Sequence, residues 1–372
     1  AGVIAMVMPS RTVYITQNFQ LNRAMAPYLL KKNEQGERAR LGDFYRRGMN
    51  DLSDSNKLRY CLLGDPAITF PLPINIVEIE SVNGTDVTDP DTDSPEVPAL
   101  GKAEVKGRIL KPDGSLDENF SGTLELILFD AEKVVSTKGF GKGLDRTFND
   151  RKTRLSTTSV RVENGRWEAR LMIPAEIENN YSPALITAYA YNGISGEEAH
   201  GMTENIYVYG YDESSEPDVK APEIESMYLN SPAFVDGALV NSNPIFFASL
   251  FDESGINVSD AGIGHRMNIT LDGKKVFSDL NTYFTADPER EGAGTVCYPL
   301  EDIEPGKHTL TFSVWDNANN SASKTIEFNV GAAVDPVISD LSTNVNPAST
   351  SVVFTVTIDR PNSNGAVVEF NG

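Results

Sequence analysis

Cysteine and histidine are scarce in this sequence, and their scarcity excludes most thiol and metal chemistry. Two cysteines and three histidines in 372 residues cannot build a disulfide framework or a four-thiolate zinc site, and the scattered histidines give no metal-ligand spacing. Positive charge is short as well. Thirty-two Lys and Arg face 53 Asp and Glu, a formal net charge of −21. Such a field repels phosphate backbones, so no nucleic-acid partner is expected. No apolar run approaches the roughly 20 residues of a membrane helix, so no transmembrane segment is expected either. No phosphate-cradling glycine loop opens a helix. What remains is an ordinary globular composition, 40% hydrophobic with 29 Gly and 21 Pro. By length it predicts a multidomain protein of two or three cores.

Residues 1–73 read as α/β. An apolar run over 3–8 predicts a buried strand of a parallel sheet. A helix follows from about Phe19, with Leu21, Met25 and Leu29 on one face and Pro27 as a kink or break. A second helix over 41–52 aligns Leu41, Phe44, Tyr45 and Leu52, and a strand over 58–63 closes at Gly64-Asp65-Pro66. Both ends of the chain read as cut: residue 1 opens directly into a strand with no signal-peptide features, and Ala366–Phe370 ends in another. An internal piece of a longer protein is the expectation.

After Pro73 the texture changes. Residues 74–100 read as a linker, because the polar stretch from Asn83 to Pro98 offers little to pack. From 101 to 217 apolar residues alternate in short runs between Gly, Asp and Asn turns, which predicts an antiparallel β-domain interrupted by a basic, Gly-rich loop over 133–154. Residues 218–331 repeat the pattern at the spacing of an immunoglobulin-like β-sandwich, with Trp315 as a core anchor. Residues 332–372 read as the start of a further, truncated β-unit.

Candidate chemistry is sparse. Cys61 and Cys297 sit in strand contexts and read as buried core residues. His265, flanked by glycine, suggests a dyad with Cys297, against the simpler reading of a turn histidine bonded to backbone. His200 and His308 lie in strands. No cofactor is expected. The loops Asp252-Glu253-Ser254-Gly255 and Asp316-Asn317-Ala318-Asn319-Asn320 carry oxygen ligands suited to calcium, but neither matches an EF-hand, and such turns ordinarily cap their own backbone.

One resemblance organises these readings. Gly2–Val7, Ser10-Arg11, Asn22-Arg23-Ala24, Leu41-Gly42-Asp43 and Leu62-Leu63-Gly64-Asp65-Pro66-Ala67 follow in order. Together they resemble the C-terminal end of a gingipain-type (C25 family) cysteine peptidase domain. The resemblance implies a caspase-like α/β fold whose catalytic His and Cys precede this stretch, so no catalytic residue is assigned here and the chain alone is expected to be inactive. It also implies that the turn over 10–16, with Ser10, Arg11 and Tyr14, walls the substrate pocket. Downstream, Ala221-Pro222-Glu223-Ile224, Tyr228-Leu229-Asn230, Asp252–Asn257, Gly262-Ile263-Gly264-His265, Leu271-Asp272-Gly273 and Trp315-Asp316-Asn317 are similar to the β-domain of that family's sortase branch. Val345-Asn346-Pro347-Ala348 is similar to the start of a sorting domain. The implied activity is that of a type IX secretion sortase. It removes C-terminal sorting domains from secreted cargo proteins and joins cargo to a lipopolysaccharide anchor. The implied place is the cell surface, beside other secretion components at the outer membrane. The competing readings are an adhesin-like surface protein without catalysis and a general secreted gingipain-like protease.

Overall fold

The computed structural model describes residues 4–29, 39–70, 73–89, 92–139, 145–211, 218–261, 264–331, 337–343 and 354–359. The chain divides into two compact units, Ala1–Pro73 and Ile74–Gly372.

In the first unit a strand, Met6–Pro9, leads to helices Ile15–Leu29 and Leu41–Asn50, a 3-10 turn at Ser55–Arg59 and a strand, Tyr60–Leu63. Leu21, Met25 and Tyr60 are buried together, with Val7, Phe44, Tyr45 and Leu52 packed around them. Two of the three residues of the predicted stripe, Leu21 and Met25, face the core, whereas Leu29 is exposed. Pro27 sits inside the last turn of the first helix, where its missing N–H costs one hydrogen bond near the helix end. The helices approach closely at Gly48, where a Cβ would fall 2.2 Å from Met25 Cγ.

The strand pairing corrects the sequence reading. Met6–Pro9 runs antiparallel to Tyr60–Leu63, not parallel, and its side chains alternate between exposed and half-buried. A single crossover helix returns the chain for a parallel strand. Here two helices intervene, so the chain re-enters from the end it left.

The larger unit opens with a second correction. Residues 74–100 are not a linker. Asn75–Val82 is an internal strand of an eight-stranded sheet, lying between Glu198–Thr203 and Lys102–Leu110. Its buried positions Asn75, Val77, Ile79 and Val82 follow a near-period-two alternation, and Val87, Val97 and Ala99 are buried beyond it. Few apolar residues suffice because each falls at an inward position. Every pairing in this sheet is antiparallel except the short one of Asn75–Val82 with Glu198–Thr203, where Ala199 meets Asn75 and His200 meets Ile76. The two end strands of the order, Arg154–Val162 and Arg166–Met172, are consecutive in the chain. The turn between them carries Asn164 and Gly165 at φ +50° and +72°, the two left-handed residues that a tight hairpin turn requires. The sheet therefore rolls until its ends meet, around Ile109, Leu124, Leu126, Leu128, Leu171 and Ile186. Within the basic loop, Lys133–Ser136 and Thr147–Asp150 pair as a hairpin.

Residues 218–331 form a β-sandwich. One sheet orders Glu223–Leu229, Ile245–Phe251, Ala293–Pro299 and Phe284–Ala286. The other orders Leu239–Val240, Ser321–Val330, Gly306–Trp315, Asn268–Leu271 and Lys275–Phe277. Phe246, Leu250, Val296, Leu310, Phe312 and Phe328 fill the space between the sheets. Trp315 is not part of that core: it is half-buried at its strand's end, 6.1 Å from the His265 ring.

The rolled sheet and the sandwich join by backbone as well as side chains. Asp260 N–H donates to Arg154 O at 2.8 Å, and Ala175 N–H to Asn317 O at 2.8 Å. Arg170 holds Glu291 at 2.9 and 3.0 Å, and Arg161 pairs with Glu289. Beyond the sandwich, Val337–Thr343 pairs antiparallel with Phe354–Asp359. The segments 345–348 and 366–370, read above as a sorting-type start and a final strand, lie outside the described residues.

Candidate functional site

In the first unit the predicted pocket turn follows Met6–Pro9. Ser10, Arg11 and Tyr14 are all exposed, Tyr14 at 64%. The turn is latched to the residue before the Tyr60 strand. Ser10 donates to Arg59 O from both its amide (2.7 Å) and its hydroxyl (3.0 Å). The Arg59 guanidinium returns a bond to Thr12 O at 2.8 Å and lies 5.7 Å from the Tyr14 ring centroid. These contacts present the Tyr14 ring outward on a braced turn.

The thiols separate from the imidazoles. Cys61 is half-buried and donates weakly to Met8 O at 3.5 Å. Cys297 is exposed, not buried as expected, because its position in Ala293–Pro299 points away from the sandwich core while Val296 points in. Among the described residues no hydrogen bond joins the His265 ring to backbone, and its Nδ1 lies 3.1 Å from the Glu176 carboxylate without forming a hydrogen bond. Among the described residues no hydrogen bond or ion pair joins a cysteine to a histidine. His308 is fully engaged, Nδ1 with Asp272 at 2.7 Å and Nε2 with Glu304 O at 2.7 Å. Burial pulls its pKa down, but these two bonds outweigh it and raise the value above the usual histidine range. Its role is to tie two loops together.

The strongest electrostatic feature was only partly legible. The two Asp-rich loops singled out above converge on each other and on a third acid, Asp218, at the entry to the sandwich. One carboxylate oxygen from each of Asp218, Asp252 and Asp316 lies within 4.8 Å of the other two. Ser254 N–H caps Asp252 at 2.7 Å, and the Ser254 hydroxyl donates to Asp218. The amides of Ala318 and Asn320 cap Asp316 at 2.9 and 2.8 Å. Burial pushes the Asp252 carboxyl up to about 7 against the pull of the Ser254 N–H, and the charges of Asp316, Asp218 and Glu253 add to the rise. Burial, opposed by the Asn320 bonds and aided by Asp218, raises Asp316 too. Two unit charges about 4 Å apart repel by roughly 4 kcal/mol at an effective dielectric constant of 20. The loop motifs pointed to Asp252 and Asp316. Nothing local to Asp218 marked it as their partner.

Residues 1–71 match Peptidase family C25, the class that the first unit's motifs resemble. Over 98% of its length the chain is similar, at 27% identity and a TM-score of 0.45, to dimeric latent PorU from Porphyromonas gingivalis, and it spans 36% of that chain. Fibronectin(III)-like modules of Clostridium thermocellum CbhA align at 12% identity over 69% of this chain and 94% of theirs, TM-score 0.19. A bacterial ice-binding adhesin aligns at 14% over 79% and 77%, TM-score 0.19. No curated protein matches. Among the described residues no helix is long and apolar enough to cross a membrane.

Proposed function

We propose that this chain is the C-terminal part of a gingipain-like cysteine peptidase that works as a type IX secretion sortase at the outer surface of the cell. The observation that carries the reading is the C25 match over 1–71, continued downstream by an ordered set of motifs from Ala221 to Asn317. In this reading the first unit completes a caspase-like domain whose Cys and His lie upstream. The braced turn at Ser10, Arg11 and Tyr14 borders the substrate cleft, a placement that rests on the resemblance of this segment to the family and on the exposure of all three side chains. The rolled sheet and the immunoglobulin-like sandwich present the enzyme to cargo and to other secretion components near the outer membrane. The parent cleaves sorting domains from cargo and transfers the new carboxyl terminus to a lipopolysaccharide anchor.

The purified 372-residue chain is expected not to cleave a sorting-domain substrate, because among the described residues neither thiol has a paired base. Thiol-dependent cleavage that disappears in Cys297→Ala would overturn this. In the parent protein, Tyr14→Ala should lower kcat or raise KM with Tm unchanged, since the exposed ring supports no core. Kinetics identical to the parent remove the turn from the cleft. Transfer to a sugar acceptor rather than to water separates the sortase from a general protease.

A further inference from the structure

Asp252 and Asp316 are 5% and 0% exposed, yet among the described residues no lysine, arginine or histidine pairs with either of them or with Asp218. Lys220, two residues after Asp218, pairs with Glu253 instead, at 3.3 Å on the exposed surface. Among the described residues every donor to the three carboxylates is a neutral amide or hydroxyl. Buried charge of one sign persists in proteins only when it is protonated away or met by a counter-ion.

A second observation concerns the loop that carries Asp316. Asn317 is 4% exposed. Its Nδ2 is fixed on Ser254 O at 2.8 Å, the same serine that caps Asp252 and Asp218, while its Oδ1 is buried without any donor. The Oδ1 of Asn319 is buried and without a donor as well. Buried polar atoms are nearly always satisfied. Here two amide oxygens lack donors on the very loop whose carboxylate lacks a cation.

We infer that Asp218, Asp252 and Asp316 form a binding site for a divalent cation, and that calcium is the ion that fits. The ligands are hard carboxylate oxygens with no nitrogen or sulfur among them, the set that favours calcium over zinc or copper. The ion would fasten the segment entering the sandwich to two of its loops. Those loops also touch the rolled sheet, through Asn317 O with Ala175 N–H and through Gly255 against Met172, so the ion would stiffen the join between modules. This site stands independently of the peptidase reading.

Trp315 adjoins Asp316 in sequence and supplies the readout. Terbium, which replaces calcium at oxygen sites, should give tryptophan-sensitised emission in the chelator-stripped chain, saturating at one ion per chain and displaced by calcium. Calcium a hundredfold above its Kd should raise Tm by roughly 5 °C. Asp252→Asn/Asp316→Asn should fold, by circular dichroism, and lose both the emission and the Tm rise. Asp279→Asn, at an exposed acid paired with Arg266, should keep both. Absence of emission and of any calcium-dependent Tm change in the unmodified chain overturns the site. Equal emission in the folded double variant also overturns it, because the ion then sits elsewhere on the acidic surface.

Discussion

Phe312→Ala should strip about 3–5 kcal/mol from the sandwich, the usual cost of emptying a buried aromatic position. Phe312 is 0% exposed. It lies mid-strand in Gly306–Trp315, opposite Ile269 on one side and Lys324 on the other. Its ring centroid is 5.1 Å from that of Phe246 on the facing sheet, so the pair bridges the two layers. Truncation leaves a cavity that neither sheet can close without moving its ladder. A domain holds about 5–15 kcal/mol in total, so the variant is expected to unfold near room temperature or to melt far earlier. The chain's two tryptophans make the measurement clean, because Trp167 lies in the rolled sheet and Trp315 in the sandwich. In a Trp167→Phe background, Trp315 fluorescence against urea reports the sandwich directly. A midpoint unchanged by Phe312→Ala would show that the sheets are not held at this contact.

The second large effect is expected from the smallest change. At Gly107 an added Cβ would fall 2.1 Å from Glu78 O and 2.4 Å from the Trp167 ring. Gly107 pairs with Ile79 on one side and Trp167 on the other, and the indole lies across the space that a side chain would take. Gly107→Ala must therefore displace the ring, the backbone carbonyl, or both. Overpacking of this kind costs about 1–3 kcal/mol, and more when backbone is among the atoms that must yield. Trp167 emission should shift as its packing loosens, and the melting temperature of the rolled sheet should fall by several degrees. Adding Trp167→Leu should recover part of the loss, because it frees the ring side and leaves the Glu78 carbonyl. A Gly107→Ala chain as stable as its parent would mean the strands can slide apart at no cost.

Local periodicity made the helices legible, since Leu21 and Met25 repeat at the spacing that shares one face, and alternation made the strands of 101–331 legible. What failed depended on partners distant in sequence. Asn75–Val82 reads as linker because a polar stretch follows it, but one of its two strand partners, Glu198–Thr203, lies far downstream. Trp315, at the end of an alternating strand, reads as a core anchor, whereas that end position leaves it half-buried beside His265. Cys297 took its expected burial from apolar neighbours, although side chains in a strand alternate faces. The carboxylate cluster was half legible for the same reason. Asx-type loops advertise Asp252 and Asp316, but only the closed sandwich brings Asp218 to them.

The parallel pairing in the rolled sheet also sets an order of events. Ala199 meets Asn75, residues about 120 positions apart, so this pairing closes a long loop before any contact rewards it. During synthesis the partner Lys102–Leu110 follows Asn75–Val82 closely, whereas the other edge of that strand has no partner until Glu198–Thr203 leaves the ribosome. Through that interval an unpaired strand edge is available to other chains. The module's first strand thus stays half-paired until a distant partner arrives, and the vulnerability this creates is a matter of timing rather than of final stability.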